Sequence, residues 1–73
     1  MTKQLPALTP KQVIKILNKI GFEFYRQKGS HQIFVKGFYQ VVVPYHNKDL
    51  KMGTLRNIIK GTGLSIEEFR KEI

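Results

Sequence analysis

The sequence predicts an α+β fold ordered α-β-β-β-α, with a short extra helix at the C-terminal end. Three observations carry this prediction. Apolar residues recur at helical spacing near both ends of the chain. Between them lie three short alternating segments separated by turns that contain glycine. Boxes of the form Ser/Thr-x-x-Gln/Glu mark two helix starts. Helices that pack on one face of a three-stranded antiparallel sheet satisfy all three, and the other sheet face stays free for a partner.

Thr9 is the first N-cap, with Pro10 at the first helical position and Gln12 closing the box. Leu8 and Val13 have the spacing of a hydrophobic staple across that cap. Val13, Ile14, Leu17 and Ile20 form the apolar stripe, and Gly21 is a natural stop. Residues 22–27 and 31–36 then alternate as strands, joined by Lys28-Gly29-Ser30, a connection of hairpin length. Gly37-Phe38 turns the chain again into a third strand, residues 39–43, ended by Pro44. Phe22 with Phe24, Ile33 with Val35, and Tyr39 with Val41 and Val43 are the expected greasy face. After a polar linker, Met52, Leu55, Ile58, Ile59 and Thr62 return to helical spacing, with Gly63 as C-cap and Leu64 as its apolar contact. Ser65 and Glu68 make the second box and start a helix presenting Ile66, Phe69 and Ile73.

Length and composition bound the function. The chain of 73 residues reads as one domain, residues 1–73, with a single modest core and no room for a cofactor domain. Zero cysteines exclude disulfides, thiolate metal sites and a cysteine nucleophile, and suit a reducing cytoplasm. The first residues lack the apolar stretch of a signal peptide, and the longest apolar run, Val41-Val42-Val43, is far too short to cross a bilayer. The chain therefore reads as soluble and intracellular, with no membrane partner. Thirteen Lys/Arg stand against five Asp/Glu, a formal net charge of +8. Up to Gly63 the acids are Glu23 and Asp49 alone. A basic surface of this kind attracts polyanions, nucleic acid first among them. Lys11, Lys15 and Lys19 make a stripe four residues apart, which reads first as a solvated face and second as a set of phosphate contacts.

Two histidines can carry proton transfer. His31 stands at the mouth of the first hairpin; strict alternation with Ile33 and Val35 points it toward the helices, while at a strand's first residue the pleat frays and the side chain can sit at the sheet rim. Lys28, Gly29 and Ser30 beside it offer charge, backbone N–H groups and a hydroxyl to an anion. His46 follows Pro44-Tyr45 as a second acid/base or a phosphate contact, since cleavage at an RNA 2′-hydroxyl benefits from one base and one acid. Lys48, Lys51, Gly53, Thr54, Arg56 and Lys60 crowd the start of the second main helix, where free N–H groups and the helix dipole favour phosphate. Each of these residues also has an ordinary reading as a solvated side chain. Neither histidine has a partner at metal-ligand spacing, so no metal is expected, and no nucleotide-binding glycine loop is present.

The run Gly29-Ser30-His31 with Phe34, then Val43-Pro44-Tyr45-His46, then Gly53-Thr54-Leu55-Arg56-Asn57-Ile58-Ile59, and finally Gly63-Leu64-Ser65 with Glu68-Phe69 resembles the HicA family of toxin ribonucleases in order and spacing. The resemblance covers residues 9–69. It implies a double-stranded-RNA-binding-domain-like fold, mRNA as substrate, a HicB-type antitoxin as partner, and no cofactor. It maps the family's catalytic histidine onto His31, while His46 matches a histidine common after the third strand. Met52 departs from the pattern, because relatives often carry proline there.

Three classes of function follow: a metal-independent endoribonuclease acting through His31, a non-catalytic RNA-binding module of the same fold, and a protein-interaction domain. An antitoxin that meets the basic surface is expected to be acidic at its contact.

Overall fold

The computed structural model describes residues 5–73; the signal-peptide reading of residues 1–4 lies outside them. Helix α1 spans Pro10–Lys19, and its start is the predicted box in full: Thr9 N–H donates to the Gln12 side chain at 2.8 Å and Gln12 N–H donates to Thr9 Oγ1 at 3.3 Å. Strands β1 (Glu23–Lys28), β2 (His31–Lys36) and β3 (Tyr39–Pro44) follow, then α2 (Met52–Thr62) and α3 (Ile66–Arg70). The strands form an antiparallel meander in the order β1-β2-β3. Pro44 closes β3, an edge strand, where its missing N–H is tolerated. Gly63 ends α2 in the left-handed conformation, φ +81°, which glycine adopts without the steric penalty of a side chain. Ser65 and Glu68 cap α3 reciprocally.

The helices cover one sheet face, and the register shows which. Phe34 opposes Val41 across β2–β3, and Gln32 opposes Val43. Phe34, Val41 and Val43 are all buried with Val13, Leu17, Leu55, Ile58 and Ile59. The face residues of β2 are therefore the even-numbered ones. Ile33 and Val35, expected in the core, lie on the other face and are only half-buried. The two-residue turn that pairs Lys28 with His31 fixes this parity. It also gives the core the larger aromatic, whose ring packs edge-on against Phe24 with centroids 5.8 Å apart.

Phe24 itself remains 53% exposed. All six residues of β1 are exposed, since this edge strand extends past the cover of the helices. The ladder is irregular between Phe24 and Arg26, which leaves Tyr25 as an extra, exposed residue. In α1, Ile16 is buried where Ile14 was expected; Ile14 and Ile20 pack at the margin. Met52, Ile66 and Ile73 are exposed, so Phe69 alone anchors α3. Leu5, Leu8 and Leu50 join the core from outside the regular elements, and Leu50 N–H donates to Leu8 O at 2.8 Å.

Candidate active site

The site is built around the β1–β2 turn. Gly29 has φ +60°, and a β-carbon there would meet nothing within 4 Å, so this backbone lies open to solvent. Glycine at the first central position is what a two-residue hairpin with the right strand twist requires. Gln27 Nε2 donates to Gly29 O at 2.9 Å, and Gln32 Nε2 donates to Gln27 Oε1 at 3.4 Å, so two glutamines brace the turn from the helix side.

His31 follows as the first residue of β2, exposed, between Lys28 of β1 and Pro44 of β3. Its parity with Ile33 and Val35 is as the sequence has it. The direction is not. Because Phe34 takes the core, His31 belongs to the open sheet face and not to the helix side. On that face the ring is accessible to a polymer too large to enter a cavity.

The segment after β3 is tied to this turn by its backbone, with Tyr45 N–H donating to Ser30 O at 2.7 Å. His46 comes next. Its Nδ1 accepts the N–H of Lys48 at 3.1 Å, which places the proton of the neutral ring on Nε2 as a donor. The ring lines a cleft of about 340 Å³ with Thr9, Lys11, Tyr45 and Asn47, at the start of α1. His31 does not line that cleft. The two histidines thus share one end of the molecule without sharing a cavity.

Helix α2 approaches the same end. Lys51 is its N-cap and makes no side-chain capping bond, so the first-turn N–H groups have no side-chain acceptor from the cap. Thr54, half-buried, lines a groove with Pro44, the cross-strand partner of His31. Lys48 and Lys51 are exposed on the approach to α2. Arg56 lies elsewhere: it lines a separate depression between α2 and α3 with Lys60 and Ser65. Lys28, Gly29, Ser30, His31, Pro44 and Thr54 are therefore gathered around one end of the sheet. Arg56 is not among them.

Lys11, whose stripe reads first as a solvated face, lines the His46 cleft, whereas Lys19 of the same stripe pairs with Glu72 at 3.3 Å. Gln27, Gln32 and Gln40 carry no motif signal, and Asn57 stands in the Gly53–Ile59 run without a role assigned to it. Strand parity after the turn and the three-residue step from Thr54 to Asn57 are the patterns that place them. No group of three His, Cys, Asp or Glu able to hold a metal occurs among the described residues.

No curated protein matches this chain. A family model does, over residues 10–64, from the start of α1 to just past the Gly63 cap, and its description is the HicA toxin of bacterial toxin–antitoxin systems. That span holds the turn with His31, the loop with His46 and all of α2. Toxins of this family act opposite an antitoxin partner. The chain belongs to the HicA toxin family.

Proposed function

We propose that this toxin is a metal-independent endoribonuclease that cleaves mRNA in the cytoplasm, with His31 as its acid/base residue. One observation carries the reading. The only histidine on the open sheet face stands directly after an exposed turn that offers backbone N–H groups, a hydroxyl and the Lys28 ammonium. In the reaction, the RNA 2′-oxygen attacks the adjacent phosphorus while its proton passes to a base. The bond to the 5′-oxygen breaks, and that oxygen takes a proton from an acid. The products are a 2′,3′-cyclic phosphate and a free 5′-hydroxyl. His31 serves one of these transfers. His46, with Nε2–H free to donate, serves the other or binds phosphate. Lys28, Gly29, Ser30, Lys48, Lys51 and Thr54 surround the phosphate with positive charge and donors as charge builds on it. Arg56, on the other side of α2, contacts the strand further along.

The partner is a HicB-type antitoxin with an acidic contact surface that covers the turn and excludes RNA, because the charge that attracts phosphate also attracts carboxylates. Amide protection on adding partner checks this; a Gly29–Ser30–His31 turn left unprotected removes direct occlusion.

The test of catalysis uses a defined RNA in EDTA. His31→Ala is expected to lower the cleavage rate by about a hundredfold or more, the usual weight of a general acid or base, while melting stays near wild type. Full-speed cleavage by the variant removes His31 from the mechanism. Wild-type protein that binds RNA steeply with falling salt but never cuts it is a binding module instead.

A further inference from the structure

Two strands of the sheet are more apolar than one covered face requires. Ile33-Phe34-Val35 in β2 and Val41-Val42-Val43 in β3 are continuous runs, whereas an antiparallel strand with one wet face alternates apolar and polar residues. Such runs suit strands covered on both sides. Among the described residues only one side is covered. Phe34, Val41 and Val43 are buried, while Ile33 and Val35 are half-buried and Val42 is 41% exposed. The register makes these last three a single patch. Ile33 stands opposite Val42, and Val35 lies two residues beyond Ile33 on the same face.

The register also gives the patch a charged border. Cross-strand partners share a face, so Arg26 lies beside Ile33, Lys28 beside His31 and Glu23 beside Val35. The open face therefore carries two cations and a histidine toward the Gly29 turn and one carboxylate at the far end. This pattern separates three occupants. RNA fits poorly, because the paired residues of the face include no Phe, Tyr or Trp on which a base stacks, and Glu23 repels phosphate. A second copy brings another net charge of +8 against the first. A protein partner fits both features. Its apolar residues bury the aliphatic patch, as the core of an interface does, and its carboxylates meet Arg26 and Lys28. Toxins of this family have such a partner in their antitoxin.

We infer that the open sheet face is the docking face for the antitoxin, which lays an apolar surface on Ile33, Val35 and Val42 and sets carboxylates beside Arg26 and Lys28. This rests on the antitoxin reading above and adds to its charge attraction an anchor that salt does not screen. His31 belongs to the same face, two residues from Ile33 and so about 7 Å along the strand. A partner seated on the patch reaches the ring without gripping the turn.

The test adds the cognate antitoxin to the full toxin and records NMR contacts between antitoxin protons and the methyl groups of Ile33, Val35 and Val42. All three are expected to show them. Ile33→Thr with Val42→Thr keeps the β-branched shape of both residues while making them polar. The double variant is expected to lose about tenfold or more in antitoxin affinity, by the same factor at low and high salt, with melting and RNA cleavage near wild type. Methyl groups of the wild-type toxin without antitoxin contacts, or an unchanged affinity of the variant, overturn the inference. So does a loss confined to RNA binding, which assigns the face to RNA, or a free-toxin dimer that the variant abolishes, which assigns it to a second copy. Turn amides protected while the methyl groups make no contact overturn this inference alone and leave direct occlusion standing. Methyl contacts beside an unprotected turn support the docking face and remove occlusion. A toxin that does not bind its antitoxin at all removes both.

Discussion

Replacing Gly61 by alanine sets two known effects against each other within one residue. Gly61 lies in the last turn of α2, where alanine gains up to about 1 kcal/mol of helix propensity. Its β-carbon, however, would stand 2.8 Å from Val41 Cγ1 and 3.1 Å from the Gln40 carbonyl oxygen. Neither neighbour yields easily. Val41 is 3% exposed among core residues, and Gln40 O belongs to a strand paired along its length with β2. Overpacking of this kind costs about 1–3 kcal/mol, and with a 2.8 Å approach to a core valine the upper part of that range applies, so the clash wins and the net loss is about 1–2 kcal/mol. In a domain of this size that lowers the melting temperature by roughly 4–8 °C per kcal/mol. Gly53 is the internal control. It is helical too, and a β-carbon there meets nothing within 4 Å, so Gly53→Ala should raise the melting temperature. Urea denaturation of both variants should move the two midpoints in opposite directions. Val41→Ala in the Gly61→Ala background should cost less than Val41→Ala alone, because the truncated side chain vacates the contested space. A Gly61→Ala protein as stable as wild type would refute the close approach of α2 to β3.

Two further predictions concern the caps. Thr9→Ala removes the bond from Gln12 N–H to Thr9 Oγ1 but keeps the one from Thr9 N–H to the Gln12 side chain, and should cost about 1 kcal/mol, read as a lower urea midpoint with an unchanged slope; an unchanged midpoint argues that water replaces the cap without loss. The Ser65 backbone N–H, with help from the Ser65 side chain, holds the Glu68 carboxyl below its ordinary value. A carboxylate with a depressed folded-state pKa contributes stability above its unfolded value of 4.5, and that contribution is lost as pH falls through the lower folded value. Glu68→Gln keeps the reciprocal cap without the charge, so its melting temperature should fall less than that of wild type on acidification, and parallel pH profiles would count against the cap as the source.

The order and limits of the elements were legible because caps and glycines are local signals. Thr9, Gln12, Ser65 and Glu68 act on backbone groups three residues away, and Gly63 needs only its own φ. Burial was less legible, because it depends on which elements lie overhead. Nothing local distinguishes Phe24 from Phe22, yet Phe22 is 2% exposed and Phe24 is half open, since the helices stop short of β1. Ile66 and Ile73 have the spacing of a buried stripe, but α3 is too short for more than Phe69 to reach the core.

The direction of His31 shows how a small non-local error changes the chemistry. Strand period two makes parity certain within β2 but leaves open which parity faces inward. Choosing Ile33 and Val35 as the inner pair puts the histidine under the helices, beside the core and away from any polymer. Phe34 decides the matter through contacts on two other strands, Phe24 on one side and Val41 on the other. Once Phe34 is inside, the odd-numbered row of β2 turns outward, His31 with it. The same step exposes Val42 and Gln40 on β3, because each stands opposite an odd-numbered residue of β2. The outward histidine and the outward Gln40 and Val42 are thus consequences of a single packing choice. A substitution that shifted the sheet register by one residue would turn the His31 ring under the helices and Phe34 out to solvent at once, so the hairpin turn at Gly29 and Ser30 sets which face of the sheet carries the histidine.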